Sequence, residues 1–310
     1  MASDSAIHSL AGSLAGIIAI TATYPLIFIS TRAAVEVKSE DKSTFQAVVD
    51  ILKREGIHGL YSGLSSSMLG VAVSNGIYYY FYERSKGVIL KSRAGGKGLS
   101  TLESMLIGAI AGSATTIISN PIWVIQTAQA VRTMNSSDTT EPKQSIKKLN
   151  MIETLNHILR KDGIGAFWRG IGPALVLVIN PIVQYTIFEQ LKNFLVKRRL
   201  EKLRAANPGV AVAAAILSDW DYFFLGAFSK LIATSATYPY IVAKSRLQAG
   251  HKHGSSLECL FNIVENEGIG GLYKGIGSKL TQSVLTAAIL FACQKKIYDM
   301  TKQALVTIAK

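Results

Sequence analysis

Two lysines stand where a lysine is expensive. Lys230 lies within GAFSKLIATSATYP (Gly226–Pro239) and Lys279 within GIGSKLTQS (Gly275–Ser283), both predominantly apolar runs. A lysine at the centre of a bilayer costs roughly 2.5–3.5 kcal/mol on insertion scales, so such a residue is expected to face a cavity. Neither stretch carries an unpaired acid near its lysine, and a cavity of net positive charge selects an anion. The plainer alternative is a side chain that snorkels to the interface; it fits Lys279, near the start of its run, better than Lys230. Rival chemistries find little support. The chain has no GxxxxGK[ST], HExxH or GxSxG, and its histidines (His8, His58, His157, His251, His253) are scattered in polar or terminal positions. The Gly-x-Gly pieces at Gly163, Gly170 and Gly275 follow no strand, which argues against a dinucleotide fold. Cys259 and Cys293 form no CxxC or Cys/His ligand spacing, so no disulfide framework or metal site is expected.

The elements that must position these lysines are those of a membrane. The 310 residues are 49% hydrophobic and only 17% charged, against about 25% in a soluble domain; the mean hydropathy is +0.28. A soluble helical solenoid would not need spans with so few charges. The net charge is +13, which suggests anionic substrates or anionic lipid. Nucleic acid is disfavoured as a partner, because the basic residues lie between apolar runs and form no long stripe.

Hydropathy gives six candidate spans: Ile7–Arg32, Ser66–Tyr82, Leu102–Ala130, Pro173–Phe188, Tyr222–Lys244 and Gly277–Gln294. A bilayer core needs about 20 residues per helix. The odd spans each hold a proline, in TATYP (Thr21–Pro25), IISNP (Ile117–Pro121) and SATYP (Ser235–Pro239). Proline inside a helix removes a hydrogen bond and bends the rod, so Pro25, Pro121 and Pro239 are expected at equivalent kinks. Gly12/Gly16 and Gly108/Gly112 are matched GxxxG pairs suited to close packing in lipid; the third span has Gly226 followed by Lys230.

One motif recurs roughly every hundred residues, as expected of a structural unit used three times. It reads EGIHGLYSG (Glu55–Gly63), DGIGAFWRG (Asp162–Gly170) and EGIGGLYKG (Glu267–Gly275): acid-Gly, four residues, an aromatic, one residue, Gly. Repeats of 1–98, 99–205 and 206–310 follow. Within them Phe45–Arg54, Met151–Lys161 and Leu257–Asn266 read as amphipathic helices on the membrane surface. The polar segment Thr133–Lys148 reads as a flexible insertion, and Lys192–Arg204 (KNFLVKRRLEKLR), after the fourth span, as a charged juxtamembrane helix binding anionic lipid.

Proline-bearing helix, acid-Gly loop and second helix, three times over, resemble the mitochondrial carrier family over nearly the whole chain, about Ile7 to Lys302. The resemblance implies an all-α membrane protein: six transmembrane helices in three pseudo-threefold repeats with short surface helices. It also implies a carrier, not an enzyme, that works by alternating access through a central cavity. No cofactor is implied, and a monomer is expected.

The family's pattern P-x-[DE]-x-x-[KR]-x-[KR] is much altered here. Its acid position holds Ile27, Trp123 and Ile241, its first basic position Ser30, Gln126 and Lys244, and its last Arg32, Ala128 and Arg246. An ion-pair ring at that end therefore cannot form. The links from last basic residue to motif acid are expected as Arg32–Glu55 and Arg246–Glu267, with no partner for Asp162 at Ala128. The second gate pattern, [FY]-[DE]-x-x-[KR], is matched by Tyr82–Glu83–Lys86 and Phe188–Glu189–Lys192, while the third repeat places Gln294 at the acid. A weak gate at the motif end and a stronger one opposite are expected, and acids placed at Ile27 and Ile241 should slow transport.

Trp123 within NPIWV resembles the branch that carries large nucleotide-like substrates. The runs Gly226–Pro239 and VINPIVQYTIFEQLK (Val178–Lys192) look most like its peroxisomal adenine nucleotide carriers. The implied function is exchange of ATP, ADP and AMP across the peroxisomal membrane. Coenzyme A, FAD or NAD, or the mitochondrial inner membrane, is the alternative. The family's contact points fall near Gly70, Leu177–Val178 and Gln282. With no arginine at the first or third, phosphates would rely on Lys230, Lys279, Lys244, Arg32 and Arg246. Ser74, Asn75, Asn180, Gln184 and Gln282 are polar candidates for base and ribose. Among the aromatics Tyr78, Tyr79, Tyr80, Tyr185 and Trp123, Tyr78 is preferred because it shares a helix face with Ser74. The basic cluster Lys192–Arg204 also resembles internal signals of peroxisomal membrane proteins, which implies an import factor as partner.

Overall fold

The structure is a computed structural model that describes residues 4–35, 49, 52–53, 56–91, 99–135, 150–206, 217–250, 255–289, 293 and 300. Every regular element among them is helical: α1 (Asp4–Val35), α2 (Ile57–Leu60), α3 (Leu64–Lys91), α4 (Thr101–Asn135), α5 (Met151–Asp162), α6 (Ile171–Val176), α7 (Asn180–Ala206), α8 (Asp219–Gln248), α9 (Ser256–Gly271) and α10 (276–289).

Among the described residues, Ala15–Val35, Thr101–Val131 and Ile164–Ala205 are long and apolar enough to cross a membrane. The helices α3 and α8, of 28 and 30 residues, are more polar, yet at 1.5 Å per residue each is about 40 Å long or more and exceeds the ~30 Å hydrocarbon core. Hydropathy marks the lipid-thick part of a helix and not its ends. The second helix thus runs past Tyr82 to Lys91.

The segment Lys192–Arg204, expected as a charged juxtamembrane helix, is helical and continues α7 without a break to Ala206. Its lysines, arginines and leucines are good helix formers. The segment Thr133–Lys148 begins as the last turn of α4, through Asn135, and the rest lies outside the described residues. So does most of Phe45–Arg54. The other two surface helices are present as α5 and α9.

Pro25, Pro121 and Pro239 each lie inside one unbroken helix. The fourth span is interrupted instead. A tight turn at Leu177–Ile179 separates α6 from α7, where Pro181 cannot donate to the Leu177 carbonyl.

The three proline-bearing helices α1, α4 and α8 touch one another pairwise, which closes a three-membered ring. With it go three buried clusters: Tyr24, Phe28, Ile29 and Leu60 with Ala130 of the second repeat; Val124, Ile125, Ile158, Ala166 and Phe167; and Tyr238, Val242, Cys259 and Ile263 and their neighbours with Ala34 of the first repeat. The outward faces carry apolar residues, among them Leu102, Leu106 and Ile110 on α4 and Trp220, Phe224 and Phe228 on α8, as a helix in lipid requires.

Candidate functional site

The motif glycines build the closed end. The glycine after each acid turns the chain with positive φ (Gly56 68°, Gly163 78°, Gly268 69°), and so does each closing glycine (Gly63 85°, Gly170 71°, Gly275 80°). Residues with a Cβ rarely adopt that region. The closing glycines also abut the next repeat. A Cβ at Gly170 would meet the Lys244 carbonyl at 2.9 Å, one at Gly275 the Ser30 carbonyl at 2.9 Å, and one at Gly63 the Gln126 carbonyl at 3.5 Å. Ser30, Gln126 and Lys244 each stand five residues after their proline, so the same joint is made three times around the ring.

The residue before each proline completes the joint. Tyr24 Oη donates to the Ser62 carbonyl at 2.9 Å and Tyr238 Oη to that of Lys274 at 2.9 Å. Asn120 donates to the carbonyls of Phe167 and Arg169 at 2.8 and 3.1 Å. Tyr24 stacks on Tyr61, and Tyr238 on Tyr273, with ring centroids 6.1 Å apart in each pair. In the second repeat the motif aromatic, Trp168, donates instead to the Ile117 carbonyl at 3.0 Å. That carbonyl is the one Pro121 leaves without a helical partner.

The expected Arg246–Glu267 link is present. The Arg246 guanidinium grips both carboxylate oxygens and donates to the Ala34 carbonyl of the first repeat, and Lys274 joins the same carboxylate at 2.6 Å. Burial alone would raise the Glu267 carboxyl, but the hydrogen bonds from Arg246 and Lys274 overcome it and hold the group below its ordinary range. Arg246 is 3% exposed; the structure engages it in a joint between repeats and does not bring it to a cavity. Arg32 is also buried, over the Phe28 ring, and its expected partner Glu55 lies outside the described residues.

Asp162 has no partner at Ala128, as expected, and takes one from its own loop: Arg169 at 2.8 Å. The Arg169 hydrogen bond lowers the Asp162 carboxyl. Where Arg246 fills the third repeat, the short Ala128 leaves a cavity of about 140 Å³ bounded by Thr154, Asp162 and Gln248. The Thr154 hydroxyl is buried there without a partner.

The predicted anion site divides into two groups. In the first, Lys230 Nζ donates to Asn180 Oδ1 at 3.2 Å, and Asn180 Nδ2 donates to Thr237 Oγ1 at 2.7 Å and to the Ala233 carbonyl at 3.1 Å. Lys230 thus points across to α7 and not outward to lipid. Lys279, on α10, lies within electrostatic reach of both Lys230 and Lys244. None of the three lysines pairs with a carboxylate among the described residues. Gln282, also on α10, is buried; it donates to Thr286 at 2.8 Å and keeps one carbonyl oxygen without a donor. Thr286 in turn meets Thr23 of α1 at 2.8 Å.

The second group lines a cavity of about 700 Å³ between α3, α4 and the α6–α7 helix, running from Leu99 to Lys244. Tyr78 and Tyr82 line one side, Val178 and Pro181 another, and Lys244 is the charged residue among those around it. Lys244 Nζ stands 5.9 Å over the Trp123 ring. Trp123 in turn donates from its indole nitrogen to Ser74 at 3.4 Å and packs against Gly70. Thus Ser74, Tyr78 and Lys244 are brought together. Asn75 is exposed, and Gln184 is half-buried on α7. Tyr79 and Tyr80 are 68% and 65% exposed and point away.

The ion pairs opposite the motif end do not join helices. Lys86 pairs with Glu83 at 3.2 Å and Lys192 with Glu189 at 2.6 Å, each within one helix. Lys192 also lies over Phe188, which stacks on Tyr222. The third gate position, Gln294, lies outside the described residues. In this conformation the motif end is joined by the glycine contacts, the hydrogen bonds beside the prolines and the Arg246–Glu267 pair, and neither Lys86–Glu83 nor Lys192–Glu189 bridges two helices.

Sequence reasoning passed over Asn120, Thr127, Gln129 and Gln248. Ser66 donates to Gln129 at 2.6 Å, Thr127 to Gln248 at 3.0 Å, and Gln248 to Asn120 at 3.3 Å, so these amides stitch repeats together. Polar residues flanking a proline inside an apolar span were the available signal.

The sequence matches the family described as mitochondrial carrier protein over residues 2–93, 97–199 and 217–307. It is 35% identical to the peroxisomal nicotinamide adenine dinucleotide carrier of Arabidopsis thaliana, covering 97% of each chain. It is 31% identical to the peroxisomal membrane protein PMP34 of Mus musculus (96% and 94% covered). To the peroxisomal adenine nucleotide transporter 1 of Saccharomyces cerevisiae it is 30% identical (95% and 92% covered).

Proposed function

The chain belongs to the mitochondrial carrier family, and from that premise we propose that it exchanges adenine nucleotides (ATP, ADP and AMP) across the peroxisomal membrane by alternating access. As a member of that family it is a transporter and not an enzyme. The observation that carries the reading is a set of three ammonium groups, Lys230 directed across to Asn180, Lys279 within electrostatic reach of it, and Lys244 at the 700 Å³ cavity, none paired with a carboxylate among the described residues. An ammonium cluster in a low-dielectric surround favours a multiply charged anion. Lys230 and Lys279 suit a phosphate chain, and Tyr78 and Ser74 suit a base and a ribose hydroxyl. Relatives named as peroxisomal in a plant, a mammal and a yeast support the membrane assigned, and the basic α7 end, Lys192–Arg204, suits an import factor or anionic lipid.

NAD is the second reading, because the Arabidopsis relative is named for it and shares the adenosine-phosphate end with ATP. Purified protein in liposomes loaded with ATP, AMP, coenzyme A, FAD or NAD, tested for uptake of labelled ATP, separates the two. Uptake driven best by internal ATP or AMP supports the first reading. Preference for internal NAD supports the second, and no uptake with any nucleotide refutes both.

A further inference from the structure

We propose that Trp123 is a positioning residue that holds the Lys244 ammonium at the closed end of the cavity by its π face alone, ready for transfer to an anionic substrate, so that occupancy of the cavity releases the closure. The inference rests on the anion-carrier reading above.

Trp123 stands where the family pattern has an acid, and Lys244 stands at the basic position of the next repeat. Their contact, with Nζ 5.9 Å from the ring centroid, replaces an ion pair at the joint between α4 and α8. The replacement is not neutral in its consequences. A carboxylate would cancel the ammonium charge; an aromatic face attracts the cation and leaves the charge whole. Lys244 is the charged residue among those lining the 700 Å³ cavity, so its field reaches a ligand there undiminished by a local acid.

The indole is itself fixed from the other side. Its nitrogen donates to Ser74, and its six-membered ring lies so close to Gly70 that an added Cβ would sit 3.3 Å from it. One ring therefore touches the first repeat through Gly70 and Ser74 and the third through Lys244. A phosphate oxygen accepts a charge-assisted hydrogen bond from an ammonium, which is stronger than a cation–π contact. Substrate phosphate entering the cavity takes Lys244 off the ring, and the α4–α8 contact at this point loses its third-repeat partner.

The test uses the full-length protein with ATP and inorganic triphosphate as probes. Indole fluorescence in detergent should change on adding either anion to wild type, and the change should vanish in Trp123→Phe and in Lys244→Gln. In liposomes Trp123→Phe should keep KM for ATP within about twofold, since phenylalanine also offers a π face. Trp123→Asp should raise KM by about tenfold and slow maximal exchange, because a carboxylate competes with phosphate for the ammonium. Should Trp123→Asp fail to fold by thermal unfolding, Trp123→Leu, which keeps Lys244 but removes the π face, should raise KM several-fold. ATP exchange by wild type with a silent indole, or wild-type KM and rate in Trp123→Asp, overturns this inference alone. Absence of all nucleotide uptake by wild type overturns the proposed function and this inference with it.

Discussion

Trp168 donates its indole hydrogen to the carbonyl of Ile117, 3.0 Å away, which Pro121 four residues further on cannot engage. The motif aromatic thereby offsets the cost of the proline in its own repeat, while Tyr61 and Tyr273 do related work by stacking on Tyr24 and Tyr238. Trp168→Phe should lower stability by about 1 kcal/mol, the ordinary net value of one hydrogen bond. Asn120→Ala should cost more, about 2 kcal/mol or above, since it strips donors from two carbonyls and an acceptor from Gln248. Thermal unfolding in detergent ranks the two, and the reverse order would refute the assignment.

The closing glycines predict a graded series. Gly170→Ala and Gly275→Ala place a Cβ 2.9 Å from a backbone carbonyl that has little freedom to retreat. Gly63→Ala meets the Tyr24 hydroxyl at 3.0 Å, but its nearest backbone carbonyl, that of Gln126, is 3.5 Å away. All three require a positive φ, which adds about 1 kcal/mol or more of strain. Melting temperatures should fall in the order Gly63→Ala least, the other two most.

Glu267 predicts an acid limb in the stability profile. Its carboxyl is held below the ordinary glutamate value of about 4.3 by Arg246 and Lys274. Its contribution is therefore complete above that ordinary value and is lost as pH falls through the lower native one. Glu267→Gln should flatten this limb below the ordinary glutamate range and destabilise at neutral pH by about 3–5 kcal/mol, because Arg246 is left buried and unpaired. An unchanged pH profile of the melting temperature would count against the link.

Lys230→Ala should cut nucleotide uptake at least tenfold while leaving folding intact, since among the described residues Lys230 pairs with no carboxylate and donates to Asn180 alone. Wild-type uptake kinetics in liposomes would remove Lys230 from the site.

Ala128→Arg should fill the 140 Å³ space beside Asp162 and give the buried Thr154 hydroxyl a donor. A gain of about 1 kcal/mol in stability with slower exchange is expected; a loss of stability would show that the space cannot take the side chain.

Much of the fold was legible because it repeats. Prolines before polar turns and glycines at two fixed motif offsets are backbone requirements, and backbone requirements leave residue types behind. Tyr78 was separable from Tyr79 and Tyr80 by helical period alone. The length of α7 was not legible from hydropathy, because Lys192–Ala206 is helical without being apolar. The joints made by Asn120 and Trp168 were hidden for another reason. Each binds a carbonyl, so a polar residue beside a proline or a motif aromatic could be seen but its partner could not. The division of the basic residues was likewise out of reach: only packing shows that Arg246 serves Glu267 and Ala34 while Lys244 faces the cavity.

The second repeat differs from the third in one small respect, an alanine where the other has an arginine. Between α8 and α1 a buried guanidinium spans the boundary; between α4 and α8 the corresponding hydrogen bonds run through the uncharged side chains of Thr127, Gln248 and Asn120. Separating the two seams therefore carries unequal penalties. The molecule is threefold in shape and lopsided in its seams, since no guanidinium crosses α4–α8 among the described residues.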